Sequence, residues 1–236
     1  MTGPSARSGA VPRATPVGAR REVVISADGV ELAGTLTIPE AATGLVVFAH
    51  GSGSSRHSPR NQAVAVRLNG AGLATLLLDL LTTEEDVRDQ VTAELRFDIP
   101  LLAGRVEAAV RWAARDPGTA TLPAGLFGAS TGGAAALVAA ARLPDVLAVV
   151  IRGGRPDLAG PALGRVRAPT LMIVGGRDEV VLRLNRHACA QMAAHCRVVV
   201  VPGATHLFEE PGALEEVSRL ASDWFLQHLA GAPRGA

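Results

Sequence analysis

Residues 124–142 read AGLFGASTGGAAALVAAAR and carry the clearest signal of the fold in the sequence. A short apolar run is followed by the glycine-rich segment Gly128–Gly132 (GASTG) and then by a segment rich in alanine. Short apolar runs are typical of strands buried on both faces, whereas alanine favours a helix. The small residues between the two let a strand and a helix approach each other closely. The stretch therefore predicts a buried strand, a tight turn that presents Ser130, and a helix.

The same alternation of apolar runs and helical segments extends along the chain. Five further runs have the length and composition of buried strands: Gly44–Ala49, Ala74–Leu80, Val146–Ile151, Thr170–Gly175 and Arg197–Val201. Four segments are suited to helices: Pro100–Arg115, Thr131–Arg142, Val181–His195 and Ala213–Leu229. Alternating apolar residues in Glu22–Pro39, on both sides of Asp28-Gly29, predict an opening hairpin. The predicted fold class is α/β, a doubly wound and mostly parallel sheet of about eight strands.

Length and composition predict one α/β domain over residues 22–236, preceded by a flexible leader at 1–21 that is rich in proline, glycine and serine. The net charge of +1 argues against nucleic acid as a partner. No apolar run approaches the ~20 residues that span a bilayer, so we expect no membrane association and a cytoplasmic location.

Cys189 and Cys196 lie in a helix-like stretch together with His187 and His195. If the helix spans both cysteines, their Cα atoms are about 10 Å apart, too far for a disulfide. The spacing matches no common zinc pattern. We therefore predict two buried thiols and assign no metal.

Two further polar residues follow apolar runs, as Ser130 does. Asp178 comes shortly after the run TLMIVG, and His206 comes shortly after the run RVVVV. Because the carboxyl ends of parallel strands meet at one edge of a sheet, we expect the three side chains to lie close together. A serine hydroxyl needs a base to remove its proton, and the base needs an orienting acid. Ser130, His206 and Asp178 supply these groups, although Asp178 could instead cap the helix that follows it.

A glycine-rich segment, HGSGSS at 50–55, follows the first predicted parallel strand. Backbone N–H groups of such a segment can bind a developing oxyanion, and we assign that role to Ser52 and Thr131, with Gly53 as the alternative to Ser52. A phosphate-binding loop is disfavoured because the chain has no lysine. We expect His50 to support the loop. Arg56, His57 and Arg60 either line the entrance or are ordinary surface residues.

These segments resemble the α/β-hydrolase superfamily and, within it, the small serine hydrolases related to dienelactone hydrolase. The resemblance covers roughly residues 22–230 and rests on four motifs: HGSGSS at 50–55, LFGASTGG at 126–133, GGRDEVV at 175–181 and GATHLFEEPG at 203–212. It implies Ser130 as nucleophile, Asp178 as acid and His206 as base, in the chain order of this fold. Dienelactone hydrolases proper have cysteine where this chain has Ser130, which puts a dienelactone substrate in doubt and leaves ester hydrolysis intact.

The predicted function is hydrolysis of small carboxylic esters through an acyl-enzyme, which requires no cofactor. An acyltransferase or a thioesterase would use the same residues, and a non-catalytic binding domain of the same fold is the alternative from another class. The connection 152–168 is too short for a cap domain. The charged stretch 82–98 either folds over the pocket or forms a solvated helix. The oligomeric state stays open.

Overall fold

The computed structural model describes residues 20–229. Their centre is a sheet of eight strands in the order β1-β2-β4-β3-β5-β6-β7-β8. The strands are β1 Arg20–Ala27, β2 Val30–Thr37, β3 Gly44–Ala49, β4 Leu73–Leu78, β5 Ala124–Ala129, β6 Val146–Arg152, β7 Thr170–Gly175 and β8 Cys196–Val201. The doubly wound α/β sheet predicted from the sequence is confirmed.

The sheet is antiparallel at one end and parallel over the rest. β1 and β2 form the predicted hairpin, and its turn places Asp28 and Gly29 at φ values of 47° and 84°. β2 is also antiparallel to β4, whereas β3 to β8 pair in parallel. β3, β4 and β7 are buried at every position, as expected for strands covered on both faces.

Helices cover both faces of the sheet. Residues 20–229 contain six α-helices: α1 Pro59–Gly70, α2 Thr83–Thr92, α3 Ile99–Ala113, α4 Thr131–Arg142, α5 Glu179–Gln191 and α6 Ala213–Leu229. Residues of α3 and α4 belong to the hydrophobic core on one face, and residues of α1 and α6 belong to the core on the other. α4 is buried at ten of its twelve positions, because alanine lets it pack closely against the sheet, against α3 beside it and against the segment 156–165.

The prediction that Cys189 and Cys196 cannot form a disulfide is wrong. The helix does not span both residues, because α5 ends at Gln191 and Cys196 is already the first residue of β8. The chain reverses between them and brings the Cα atoms to 5.5 Å, and the two cysteines are bonded to each other. The predicted helix Val181–His195 is therefore too long at its C-terminal end.

Helix α1 was not predicted, although its start follows the usual rules. The Ser58 side chain accepts a hydrogen bond from the backbone N–H of Asn61, and Pro59 occupies the first helical position. The predicted leader falls mostly on residues 1–19, outside the described residues, and β1 begins at Arg20. Within residues 20–229, no helix combines the length and the apolar character needed to cross a bilayer.

Candidate active site

Ser130 lies in the turn between β5 and α4 with a strained backbone, at φ 51° and ψ −124°. Non-glycine residues rarely adopt a positive φ, and such strain is typical of functional turns. Two glycines make close backbone contacts that fix the geometry of this turn. A Cβ atom on Gly132 would lie 2.3 Å from the carbonyl oxygens of residues 49 and 50, and one on Gly128 would lie 2.6 Å from the Cα of Gly133. Only glycine fits at these two positions, so β5, α4 and the end of β3 meet directly at Ser130.

Asp178 and His206 are joined by a hydrogen bond of 2.6 Å between Oδ2 of the aspartate and Nδ1 of the histidine. The Asp178 side chain is 16% exposed and the His206 side chain 39%. Asp178 precedes α5 but makes no side-chain capping bond, so the alternative role of helix cap is not used. With Nδ1–H donating to the carboxylate, Nε2 is the ring nitrogen left free to accept a proton.

Two glycines directly after β6 lie between Ser130 and His206, and each of them is in contact with one of these residues. A Cβ atom on Gly153 would lie 3.5 Å from Nδ1 of His206, and one on Gly154 would lie 3.7 Å from the backbone oxygen of Ser130. Between residues 20 and 229, the hydrogen bonds include none from the Ser130 hydroxyl to His206. Apo active sites often show such a gap. This glycine pair is not among the predicted site residues, although RGG after an apolar run is a visible signal in the sequence.

The segment 203–212, which we call the His206 loop, is held in place by contacts on both sides of the histidine. The backbone N–H of Thr205 donates to both carboxylate oxygens of Glu210, at 3.0 and 3.1 Å. Phe208 adopts a φ of 55° and is buried at 2% exposure. Glu209 pairs with Arg60 at 3.3 Å, which links the loop to the start of α1.

The two candidate oxyanion residues contact each other through their side chains. The hydroxyl oxygens of Ser52 and Thr131 are 2.9 Å apart, with Thr131 buried and Ser52 exposed. Below them, Nε2 of His50 accepts the backbone N–H of Leu80 at 3.0 Å, and Nδ1 donates to the backbone oxygen of Gly51 at 2.9 Å. Burial lowers the pKa of His50, which keeps the ring neutral. His50 thus supports the loop, as predicted.

A small cavity lies beside Ser52 and Thr131. Leu80, Leu81 and Leu102 line its apolar side, whereas Asp86 and Arg96 line it from the charged segment 82–98. This segment contains α2 and therefore borders the site. His57 lines an adjoining depression, whereas Arg56 is held by an ion pair to Asp79.

Comparisons with known proteins show what the whole chain is similar to. A protein of Mycobacterium tuberculosis that carries the provisional name phosphoribosyl transferase is 61% identical over 211 residues, which are 89% of this chain and 47% of that protein. The chain thus spans about half the length of the curated relatives it matches. The crystal structure of a dienelactone hydrolase from Anabaena variabilis is 57% identical, with a TM-score of 0.88 over 89% of this chain and 98% of that one.

More distant structures share the fold alone. Est1E from Butyrivibrio proteoclasticus, with ferulic acid bound, is 20% identical, with a TM-score of 0.75 over 88% of this chain and 99% of that one. The model of the dienelactone hydrolase family matches residues 32–228. This match includes all five candidate site residues: Ser52, Ser130, Thr131, Asp178 and His206. The chain belongs to the dienelactone hydrolase family.

Proposed function

We propose that this hydrolase cleaves small carboxylic esters through an acyl-enzyme on Ser130. The observation that carries the proposal is the strained turn that presents Ser130 next to the Asp178–His206 pair. A hydroxyl is a weak nucleophile at neutral pH, so it needs an adjacent base of suitable pKa. A neutral imidazole whose Nδ1–H is held by a carboxylate is such a base.

In the first half of the reaction, Ser130 Oγ attacks the ester carbonyl and its proton passes to Nε2 of His206. The carbonyl oxygen becomes an oxyanion, which accepts hydrogen bonds from the backbone N–H groups of Ser52 and Thr131. Thr131 is the first residue of α4, so the positive end of the helix dipole also favours the negative charge. The C–O bond then breaks, and the imidazolium protonates the departing alcohol.

In the second half, a water molecule attacks the acyl-enzyme. Its proton passes to His206, the acid is released, and Ser130 regains its proton. Asp178 stabilises the imidazolium in both halves and keeps the ring in one tautomer. The contact between the Ser52 and Thr131 hydroxyls, at 2.9 Å, fixes the spacing of the two oxyanion donors. All groups that move protons belong to the chain, so the proposal needs no cofactor.

The proposal is tested by hydrolysis of 4-nitrophenyl acetate and butyrate by the purified protein. The Ser130→Ala variant should lose at least about a thousandfold in kcat while keeping its fold, since removing a serine nucleophile has large effects of this order. Ser26→Ala is the matched control, because Ser26 is exposed on β1, away from the site. Equal rates in wild type and Ser130→Ala would contradict the proposal. Transfer of the acyl group to an added alcohol or thiol, in preference to water, would identify an acyltransferase instead.

A further inference from the structure

Arg152 is a buried cation that the proposed reaction does not use. It is the last residue of β6 and is 8% exposed. Val150, two residues earlier in the strand, belongs to the core beneath α1 and α6, so the Arg152 side chain points to the same face. Its Nη2 atom is 3.4 Å from the side-chain oxygen of Asn61, in the first turn of α1.

This guanidinium lacks an anionic partner among residues 20–229. No carboxylate there forms a salt bridge with Arg152, and the long contact to Asn61 is its one side-chain hydrogen bond. Its Nε atom is buried and has no acceptor in this part of the chain. Removing a guanidinium from water without an anion is costly, so buried arginines are normally paired.

A second arginine increases the positive charge at this place. Arg60 directly precedes Asn61, and its Nε atom is also buried without an acceptor in the described chain. The Nη1 atom of Arg60 is 3.3 Å from Glu209, whose side chain is 65% exposed. Burial, together with the nearby charge of Arg60, lowers the pKa of Arg152 to about 10, so that it stays protonated at neutral pH. In the described part of the chain, the two guanidinium groups thus have a single ion pair, which Arg60 forms with an exposed carboxylate.

We propose that Arg152 and Arg60 form a binding site for a small anion, a carboxylate or an inorganic oxyanion, between the start of α1 and the His206 loop. Guanidinium groups match the geometry of such anions and bind them through paired N–H donors. The bound anion would accept hydrogen bonds from the Nε–H groups of Arg152 and Arg60, which are buried without acceptors in the described chain. The site lies at the N-terminal end of α1, whose dipole adds to the attraction.

The anion has two possible sources, a carboxylate on the substrate or a free ion. The site is close to the reaction centre, because Gly153 follows Arg152 and borders the imidazole of His206. His206 is the residue that protonates the departing alcohol in the proposed reaction. A carboxylate on the leaving group is therefore the substrate feature best placed to reach Arg152, and this second step rests on the proposed function.

Binding is tested first without any substrate. The melting temperature of the full-length protein is measured against increasing sodium formate or sodium phosphate, at constant ionic strength. A bound anion stabilises the folded state, so we expect a saturable rise in the melting temperature of the wild type. The rise should be absent in Arg152→Gln and reduced in Arg60→Gln, and Arg60→Gln also serves if the first variant does not fold. Arg67→Gln, an exposed change in the last turn of the same helix, should behave as the wild type.

A matched pair of esters then separates the two sources. 4-Acetoxybenzoate carries a carboxylate on its leaving group, and 4-acetoxybenzamide is its neutral counterpart. If the substrate supplies the anion, wild-type kcat/KM should favour the benzoate by at least about tenfold, as expected for one charged hydrogen bond. The preference should disappear in Arg152→Gln and persist in Arg67→Gln.

The possible results are distinguishable. A rise in melting temperature that requires Arg152, without a preference between the esters, assigns the site to a free anion. If neither ester is hydrolysed, the proposed function fails, and the melting experiment still tests the site. The anion site is overturned if wild type and Arg152→Gln respond alike in both experiments.

Discussion

At the scale of single residues, the proposed role of His206 as a base depends on one carboxylate. Asp178 accepts the Nδ1–H of the imidazole at 2.6 Å, so its replacement by asparagine removes the charge and allows the wrong tautomer. We expect Asp178→Asn to lower kcat by about 10⁴-fold, as in serine hydrolases in which this change has been made. Steady-state hydrolysis of 4-nitrophenyl acetate measures the loss.

The neighbouring acid provides the matched control. Glu179 is 81% exposed at its side chain and lies 3.9 Å from Arg183, so it is directed to solvent. Glu179→Gln should therefore keep kcat within about twofold of the wild type, since exposed pairs contribute little. If Asp178→Asn were nearly as active as the wild type and Glu179→Gln were not, Glu179 would be the acid that orients His206.

At the scale of elements, α2 is the segment that could act as a lid, and it is anchored at both ends. Thr82 and Glu85 form a capping box at its start, and Glu85 also binds Arg105 of α3 at 2.9 Å. Near its end, buried Asp89 accepts a hydrogen bond from Nε–H of Arg96, a residue beyond the helix, at 2.7 Å. We therefore expect ordinary saturation kinetics with short-chain triglycerides. A sharp rise in rate above the solubility limit of the substrate would show that α2 opens at a lipid interface.

The contacts of Asp89 also lead to a prediction for the stability of the protein. Asp89 is 1% exposed and accepts the backbone N–H groups of Leu95 and Arg96 as well as the Arg96 side chain. Asp89→Asn should lower the free energy of unfolding by about 3 kcal/mol, because it breaks a buried ion pair. Glu94→Gln, which changes an exposed pair with Arg88, should cost at most about 1 kcal/mol. Urea denaturation of both variants measures the difference, and equal losses would mean that the buried pair is not an anchor.

The sequence predicts some elements of the structure better than others. Continuous apolar runs predict the strands, and the positions after three of them indicate Ser130, Asp178 and His206 as candidate site residues. Helix α1 escaped prediction because only four of its residues are buried, and one of these is the polar Asn61. The disulfide and the burial of Arg152 were not predicted, because both depend on how separate segments pack together. Cys196 becomes a neighbour of Cys189 only through the reversal after α5, and Arg152 contacts Asn61 only once α1 packs on the same face of the sheet.

At the scale of the whole molecule, His50 links stability to pH. Burial lowers its pKa below 6.5 in the folded protein, whereas the unfolded chain keeps an ordinary value of about 6.5. Protonation therefore favours unfolding. The contribution of His50 is fully present above the unfolded pKa and is lost as the pH falls toward the folded one, by at most about 1.4 kcal/mol per pH unit. Urea denaturation between pH 7.5 and 5.5 should show this slope, and it should be flatter in His50→Asn.

A second histidine serves as the comparison. Burial and then the proximity of His195 lower the pKa of His228, so this residue adds a slope of the same sign. His228→Gln should keep most of the pH dependence that His50→Asn loses. Identical slopes in wild type and His50→Asn would mean that His50 is protonated as easily in the folded protein as in the unfolded chain.

The most direct test of the account is covalent labelling of the nucleophile. A fluorophosphonate reacts with a serine only where a base and an oxyanion site activate it, so it reports the whole arrangement at once. The account predicts one equivalent of label per chain, located by peptide mass spectrometry on Ser130. Labelling should be absent in Ser130→Ala, strongly slowed in His206→Ala and unchanged in Ser26→Ala. A folded wild-type protein that takes up no label, or is labelled at another serine, would contradict the account.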